Sequence, residues 1–391
     1  MNIETTSADF RRAITLASRV IERRNPIPVL EAVRCHANGS FEATGTDLDM
    51  AIVATVPRAA GPVMDFVLKS PQSVTHALGA AGGKTVSITC GKDNVSLNSG
   101  SLDLIVETHG VDTFPMDMAR PLDRLFSATL SGSHLAMIGR VAGAMSTEET
   151  RYYLNGIQLR SMGGTTLRAS ATDGHRLYIA DIEVPDANGV LEQPLIIPRK
   201  AVGILLELAR GATDGIRFQV GSAAIPNSID STAPEKPGSR RVGFAVAQRS
   251  AEVALYSKLI DGTFPDVDRV IPTGADKQAL FKTADLRRGL SAISGHSREV
   301  RAAKLDFKKP GEMTLSAAYV GIGLSASVKI PCEHNAAGYV VGFNGGYLTS
   351  ILSASGGEEV SFDMTSADHP MIVRNPADTA WKGIIMPMRF L

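Results

Sequence analysis

The chain reads as one plan written three times, and this limits its fold more than any other feature. Three amphipathic helical segments open the units: TSADFRRAITLASRVIER at 6–23, SGSHLAMIGRVAGAMS at 131–146 and TADLRRGLSAISGHS at 283–297. Small polar residues stand at their starts, so Ser7 and Thr283 are expected as N-caps, with Asp285 in a first turn. Strand-like alternation follows each of them. A second helix is then expected at 70–81, 198–211 and 344–355. The middle strands also correspond: FEATGTDLDMAIVA at 41–54, TLRASATDGHRLYIAD at 166–181 and MTLSAAYVGIGLSASV at 313–328. The first two share a Thr-Asp turn, and two units share a loop, DTFPMDM at 112–118 and GTFPDVD at 262–268. The expected fold class is α+β, with three domains of one type, each laying two helices on antiparallel sheet. Their expected borders are 1–126, 127–277 and 278–391. The stretch 221–241, rich in Pro, Ser and Gly, reads as an extended, mobile loop insertion in the middle unit.

Composition narrows the function classes. With 391 residues and 44% hydrophobic content the chain can bury ordinary cores. No run approaches the roughly 18 apolar residues of a membrane helix. The start MNIETTSADFRRAI runs directly into a helix without an apolar signal core, so a cytoplasmic location without membrane attachment is expected. Cys35, Cys90 and Cys332 are far apart, which argues against a disulfide framework or a zinc site. Formal net charge is zero, so charge alone gives no reason to invoke nucleic acid. Its distribution is uneven. The helical segments with their turns (7–24, 69–81, 131–151, 198–210, 283–301 and 343–355) hold 15 lysines and arginines against 7 aspartates and glutamates. Surface helices often carry such charge. The alternative is a single electropositive helical face that follows a phosphate backbone without reading bases. Arg23, Arg24, Arg151, Tyr152 and Tyr153 stand where helices run into loops, and arginine beside tyrosine suits phosphate contact and stacking. One or both tyrosine rings in a core is the competing reading.

Three enzymatic readings are weak. LGAAGGKT at 78–85 resembles a phosphate loop, but Leu78 takes the place of the first glycine and the run closes a helix rather than opening one. Asp173 and His175, in SATDGHRLYIAD at 170–181, have the residue types of an acid/base pair. No nucleophile is tied to them by motif, and Asp-Gly is ordinary turn chemistry. His134, His175, His296 and His334 are scattered without ligand spacing, so neither metal nor cofactor is expected.

Seven segments, in order along the whole length, carry a resemblance: TGTDLDM (44–50), RYYLNG (151–156), ATDGHRL (171–177), IIPRK (196–200), KLIDGTFPDVDRVIP (258–272), GFN (342–344) and MPMRFL (386–391). Through them the chain resembles the bacterial DNA polymerase III beta subunit, the replicative sliding-clamp family. The resemblance implies three clamp domains per chain and a head-to-tail homodimer closed into a six-domain ring. Helices would line the hole and sheets form the outside. Such a ring is a processivity factor and not an enzyme. It would encircle double-stranded DNA without sequence preference and tether the polymerase III alpha subunit, the clamp loader delta subunit, other polymerases, repair proteins and ligase. Those partners would dock a short apolar motif in a groove between the second and third domains. By position, the groove would take Leu154, Thr172, Gly174, His175, Arg176 and Leu177 from the middle domain. Pro265, Arg269 and Val270 would come from the Phe-Pro loop, and Met386, Pro387, Met388 and Arg389 from the C-terminal strand end. Arg24, Arg151, Tyr152, Tyr153, Arg199 and Lys200 would face DNA.

Some positions depart from the family pattern. Phe390 and Leu391 lengthen the usual ending. Asp268 stands where a basic or neutral residue is common, implying weaker local attraction for DNA. The expected subunit-edge strand GSLDLIVET (100–108) lacks arginines, and Ser294 falls near an expected apolar contact. The alternatives are therefore a diverged clamp paralogue with altered partners, or an unrelated repeat-built enzyme using Asp173 and His175.

Overall fold

The computed structural model describes residues 2–22, 24–57, 61–223, 240–294, 302–319 and 324–389. Most of the expected insertion, 224–239, lies outside the described residues, as do Arg23, His296, Phe390 and Leu391. The strands Ile216–Ala223 and Arg240–Gln248 run into its two ends and pair with each other.

Among the described residues there are six α-helices: α1 Ser7–Ala17, α2 Pro71–Ala81, α3 Gly132–Ala142, α4 Arg199–Ala209, α5 Thr283–Ser294 and α6 Gly345–Ser355. None is long and apolar enough to cross a membrane. All sheet pairings are antiparallel, so the α+β class holds. Apart from α5, whose predicted end at 295–297 lies outside the described residues, the helices are shorter than the periodicity predicts. In α1 the true cap is Thr6, not Ser7: Thr6 Oγ1 accepts the Asp9 amide at 3.0 Å. At the other end Ser18 is the C-cap, and its Oγ donates back to the Ile14 carbonyl at 2.7 Å. Thr283 likewise lies inside α5 as its first residue. The run after Leu78 does close a helix, with Gly82 as a left-handed C-cap at φ 67°.

The repeat persists in individual hydrogen bonds. The Ser7 amide donates to the Lys84 carbonyl at 2.9 Å, and Thr283, at the matching place, donates to Glu358 at 2.8 Å. Arg11 Nε ties α1 to the Thr75 carbonyl of α2 at 3.1 Å, and Arg287 Nη2 ties α5 to the Leu352 carbonyl of α6 at 2.7 Å. The middle strands are hairpins in all three units: Ser40–Thr46 with Met50–Pro57, Thr166–Thr172 with Arg176–Glu183, and Glu312–Tyr319 with Leu324–Pro331.

Contacts are concentrated in two compact units that do not follow the borders at 126 and 277. The first takes in 1–135, 184–192 and 200–259; the second takes in 136–183, 193–199 and 260–391. The cause is sheet continuity. In the first unit, Met50–Pro57 pairs with Ala251–Lys258 inside one 13-stranded sheet. In the second, Arg176–Glu183 pairs with Asp378–Ile385 inside a nine-stranded sheet, beside a separate four-stranded one. Trp381 is fully buried in the second unit, with the Arg140 guanidinium 4.9 Å above its ring. Arg140 also donates to the Ala354 and Ser355 carbonyls at the end of α6, where a cation suits the helix dipole.

Candidate functional site

The stretch 172–176 is a tight turn closed by its own side chains. Thr172 Oγ1 donates to the Arg176 carbonyl at 2.7 Å and accepts the Gly174 amide at 3.0 Å. Asp173 Oδ1 accepts the amides of His175 and Arg176, both at 3.0 Å, while Oδ2 takes Arg176 Nε at 3.0 Å. The carboxylate is thus spent on the turn. Gly174 has φ 90°, a backbone conformation that favours glycine. The His175 ring stacks on Tyr347 of α6 at 5.8 Å, and the Arg176 guanidinium lies 4.9 Å from the same tyrosine ring. The two are not arranged as an acid/base pair: the aspartate holds backbone, and the imidazole lies against an aromatic face.

Beside the turn is an apolar floor. Leu154, Leu177, Ile179, Ile196, Phe264, Val267, Ile372 and Ile384 form one buried cluster, with Tyr153, Ile260 and Ile271 packed against it. It gathers a short helical turn (Tyr152–Leu154), the strands Arg176–Glu183, Leu195–Pro198 and Met371–Asn375, the Phe-Pro loop and the C-terminal strand Asp378–Ile385. Alternation brings these side chains to one sheet face, because Leu177 pairs with Ile384 and Ile384 with Ile372. The tail is fastened twice. The Met386 amide donates to the His175 carbonyl at 2.8 Å, and the Met388 amide to the Gly342 carbonyl at 2.9 Å. Met386 and Val270 remain 38% and 41% exposed.

The structure therefore brings Leu154, Thr172, Gly174, His175, Arg176, Leu177, Val270, Met386 and Met388 into one neighbourhood. Leu154 and Leu177 are floor, each 3% exposed, and Thr172 is a turn bond. Pro265 and Arg389 are exposed, Pro387 is half-buried, and Arg269 pairs with Asp266 at 3.0 Å in an exposed ion pair. Sequence reasoning missed Tyr347; its position inside a helical repeat gave no sign that its ring faces the turn. It also missed the partners of Asp268, which accepts from Arg160 at 2.5 Å and Arg168 at 2.9 Å. The Arg160 hydrogen bond holds its carboxyl below the ordinary range.

The residues expected to face DNA fall into separate groups. Arg24 is exposed on the loop after α1, in a left-handed conformation at φ 65°. Lys200 is occupied: it bonds Asp47 at 2.6 Å and Glu22 at 2.9 Å. Burial lowers its affinity for a proton, but those two carboxylates outweigh burial and raise its pKa. Arg199 is exposed at the start of α4. Arg151 pairs with Glu148 and lies against the 172–176 turn, its Nη1 only 2.7 Å from where a Cβ on Gly174 would stand. Tyr152 and Tyr153 meet edge to face at 5.9 Å; Tyr152 is exposed while Tyr153 joins the floor. In the first unit a cleft of about 690 Å³ opens between α1 and α4, lined by Arg11, Arg12, Arg19 and Arg210 with Asp9 and Glu207. These arginines were counted in the helical charge but not singled out; their convergence is a tertiary fact. Among the described residues no cluster of His, Cys, Asp or Glu is arranged to hold a metal ion.

Known proteins bear on this arrangement directly. Family models of the DNA polymerase III beta subunit match in sequence: the N-terminal domain at residues 1–118, the central domain at 130–266 and the C-terminal domain at 268–389. The beta sliding clamp of Caulobacter vibrioides is 29% identical over 407 residues, covering 100% of both chains. That of Pseudomonas aeruginosa is 29% identical over 395 residues, covering 97% of each. Among solved structures, the sliding clamp of Bartonella birtlesii bound to griselimycin is 27% identical with a TM-score of 0.86, covering 100% of both chains. The Caulobacter crescentus DNA polymerase sliding clamp is 26% identical with a TM-score of 0.85 over the same share. The chain belongs to the DNA polymerase III beta subunit family.

Proposed function

We propose that the chain is a beta sliding clamp: a head-to-tail homodimer of six domains that encircles double-stranded DNA in the cytoplasm and tethers a polymerase, without catalysis of its own. The observation that carries the docking half of this reading is the apolar-floored notch at 172–177, fastened to the C-terminal tail. It supports docking of short apolar peptides from the polymerase alpha subunit, the clamp loader delta subunit and repair proteins. Leucine, isoleucine, proline and methionine supply adaptable contact area, and His175, Arg176 and Tyr347 supply orientation. Arg24, Arg199 and the α1/α4 arginines support the DNA half. Weak, salt-sensitive phosphate contacts are enough where a ring holds DNA topologically.

Two sheet edges support dimer closure. Among the described residues Leu102–His109 pairs with Met64–Leu68 only through its last two residues and has no other strand on that side, and Ile105 is 72% exposed. Leu324–Pro331 is the outer strand of the four-stranded sheet. Unpaired edges invite strand addition, which a second copy can satisfy. In place of the missing arginines the first edge carries Asp103 and Glu107; the second carries Lys329.

Loading onto a nicked circular plasmid tests the whole reading. The loaded protein should stay with DNA through gel filtration and be lost when the plasmid is linearised. Equal retention on circular and linear DNA would remove the ring. Reversing Arg24 and Arg19 to Glu should lower retention, most at low salt, with the difference from wild type shrinking as salt rises.

A further inference from the structure

The sheet face beneath the notch is divided in two. Alternation places Leu177, Ile179, Ile384 and Ile372 at one end. The same register carries Arg160, Arg168 and Asp181 to the other end, in consecutive pairs Arg160↔Arg168 and Arg168↔Asp181, with Lys382 and Arg374 alongside. The Phe-Pro loop straddles the division. Phe264 and Val267 sink into the apolar end, 7% and 3% exposed. The residue after Val267 is Asp268, which reaches the charged end and takes Arg160 Nη2 at 2.5 Å and Arg168 Nη1 at 2.9 Å. Arg168 is itself fixed by two bonds to Asp181, at 2.6 and 2.8 Å, and its side chain is 12% exposed.

The rest of the loop has only local polar ties. Asp266 accepts the Asp268 amide and pairs with Arg269, and Val270 donates to the Val267 carbonyl. Among the described residues no other hydrogen bond joins 262–271 to the sheet. Apolar burial holds Phe264 and Val267 in place, but hydrophobic contact is not directional. Two charge-assisted bonds, one of them from the fixed Arg168, are directional, and they set where Pro265 and Val270 stand.

We infer that Asp268 is a latch, a positioning residue that sets the loop wall of the peptide notch through Arg160 and Arg168. The inference rests on the docking reading given above. Asp268 touches no peptide itself; it acts by holding Pro265 and Val270 in register with the turn and the tail. Losing the latch should leave the core packed and the fold intact while letting the wall drift. Bound peptide should then leave faster.

Two readouts on the full-length protein test this: amide hydrogen exchange of 263–271 without ligand, and binding of a short, mostly apolar synthetic peptide copied from the cognate polymerase alpha subunit. Asp268→Asn should speed exchange in the loop and weaken the peptide by about tenfold, mainly through dissociation, at an unchanged melting temperature. Arg160→Met should do the same, and the double variant should be no worse than either single one, the signature of one shared interaction. Asp268→Glu, which keeps the charge, should retain most of the affinity and serves if the Asn variant folds poorly. Unchanged exchange in Asp268→Asn overturns the latch whatever the peptide does. Faster exchange with unchanged affinity overturns its role in docking. A wild-type protein that ignores the peptide while its loop responds to Asp268→Asn refutes the docking reading instead, and the two failures are told apart.

Discussion

The turns at 46–50 and 172–176 are built by the same bonds and used differently. Thr46 Oγ1 donates to the Met50 carbonyl at 2.7 Å and accepts the Leu48 amide at 3.1 Å, as Thr172 does with Arg176 and Gly174. Asp47 accepts the amides of Asp49 and Met50, as Asp173 does those of His175 and Arg176. Each turn also receives the end of a neighbouring strand: the Lys258 amide donates to Asp49 in the first, and the Met386 amide to His175 in the second, both at 2.8 Å. From there they part. In the first, Lys258 Nζ closes on the Asp49 carboxylate at 2.9 Å and Lys200 fills the far side of Asp47, whose side chain is 8% exposed. In the second, methionine and histidine replace lysine and aspartate, and the histidine ring stacks on Tyr347. A seam sealed by ion pairs leaves little apolar surface for a peptide; one left apolar and aromatic leaves more. On the proposed docking reading, the comparison accounts for one of two like turns serving as the notch.

The largest effect should come from removing what only the second seam has. Deleting residues 386–391 takes away both tail fastenings and the exposed Met386. Peptide affinity should fall by more than about 100-fold, near 2.7 kcal/mol, while sedimentation still reports a dimer. Normal peptide binding by the truncated chain would move the site elsewhere. A smaller effect should come from making the second seam resemble the first. His175→Asp with Met386→Lys recreates the Asp49–Lys258 pair. Calorimetry should show peptide binding weakened by about tenfold, roughly 1.4 kcal/mol, with the melting point hardly changed, because an exposed ion pair contributes only about 0–1 kcal/mol. If the swapped seam still binds at full strength, sealing is not what separates the two turns.

The likeness of the turns was legible in sequence because turn chemistry is local: the Thr-Asp pair that makes the shared bonds stands at the same place in both. The two-helix plan was legible for the same reason, through periodicity. What was not legible depends on distant partners. Asp268 finds Arg160 across 108 residues, and Lys200 finds Asp47 across 153, so neither pairing leaves a local pattern. The sheets that run on from one repeat into the next were hidden too. A sequence border says where a unit was copied, and strand edges pair across it wherever they meet.

The finest distinction between the turns lies at their third position. Leu48 has φ 74° and Gly174 has φ 90°, so both turns demand a left-handed residue and only the second supplies glycine. Leucine there costs on the order of 1 kcal/mol, which the surrounding bonds absorb. Leu48→Gly should therefore leave stability unchanged or raise it by up to about 1 kcal/mol, since backbone relief opposes the larger entropy of an unfolded glycine. Gly174→Ala should do the opposite. It adds the same backbone strain and a Cβ 2.7 Å from Arg151 Nη1, so Arg151 must move. Chemical denaturation of the two variants should show opposite or unequal shifts. Equal destabilisation by both would mean that the left-handed position is not the feature that separates the two turns, and would leave the seam side chains to explain the difference alone.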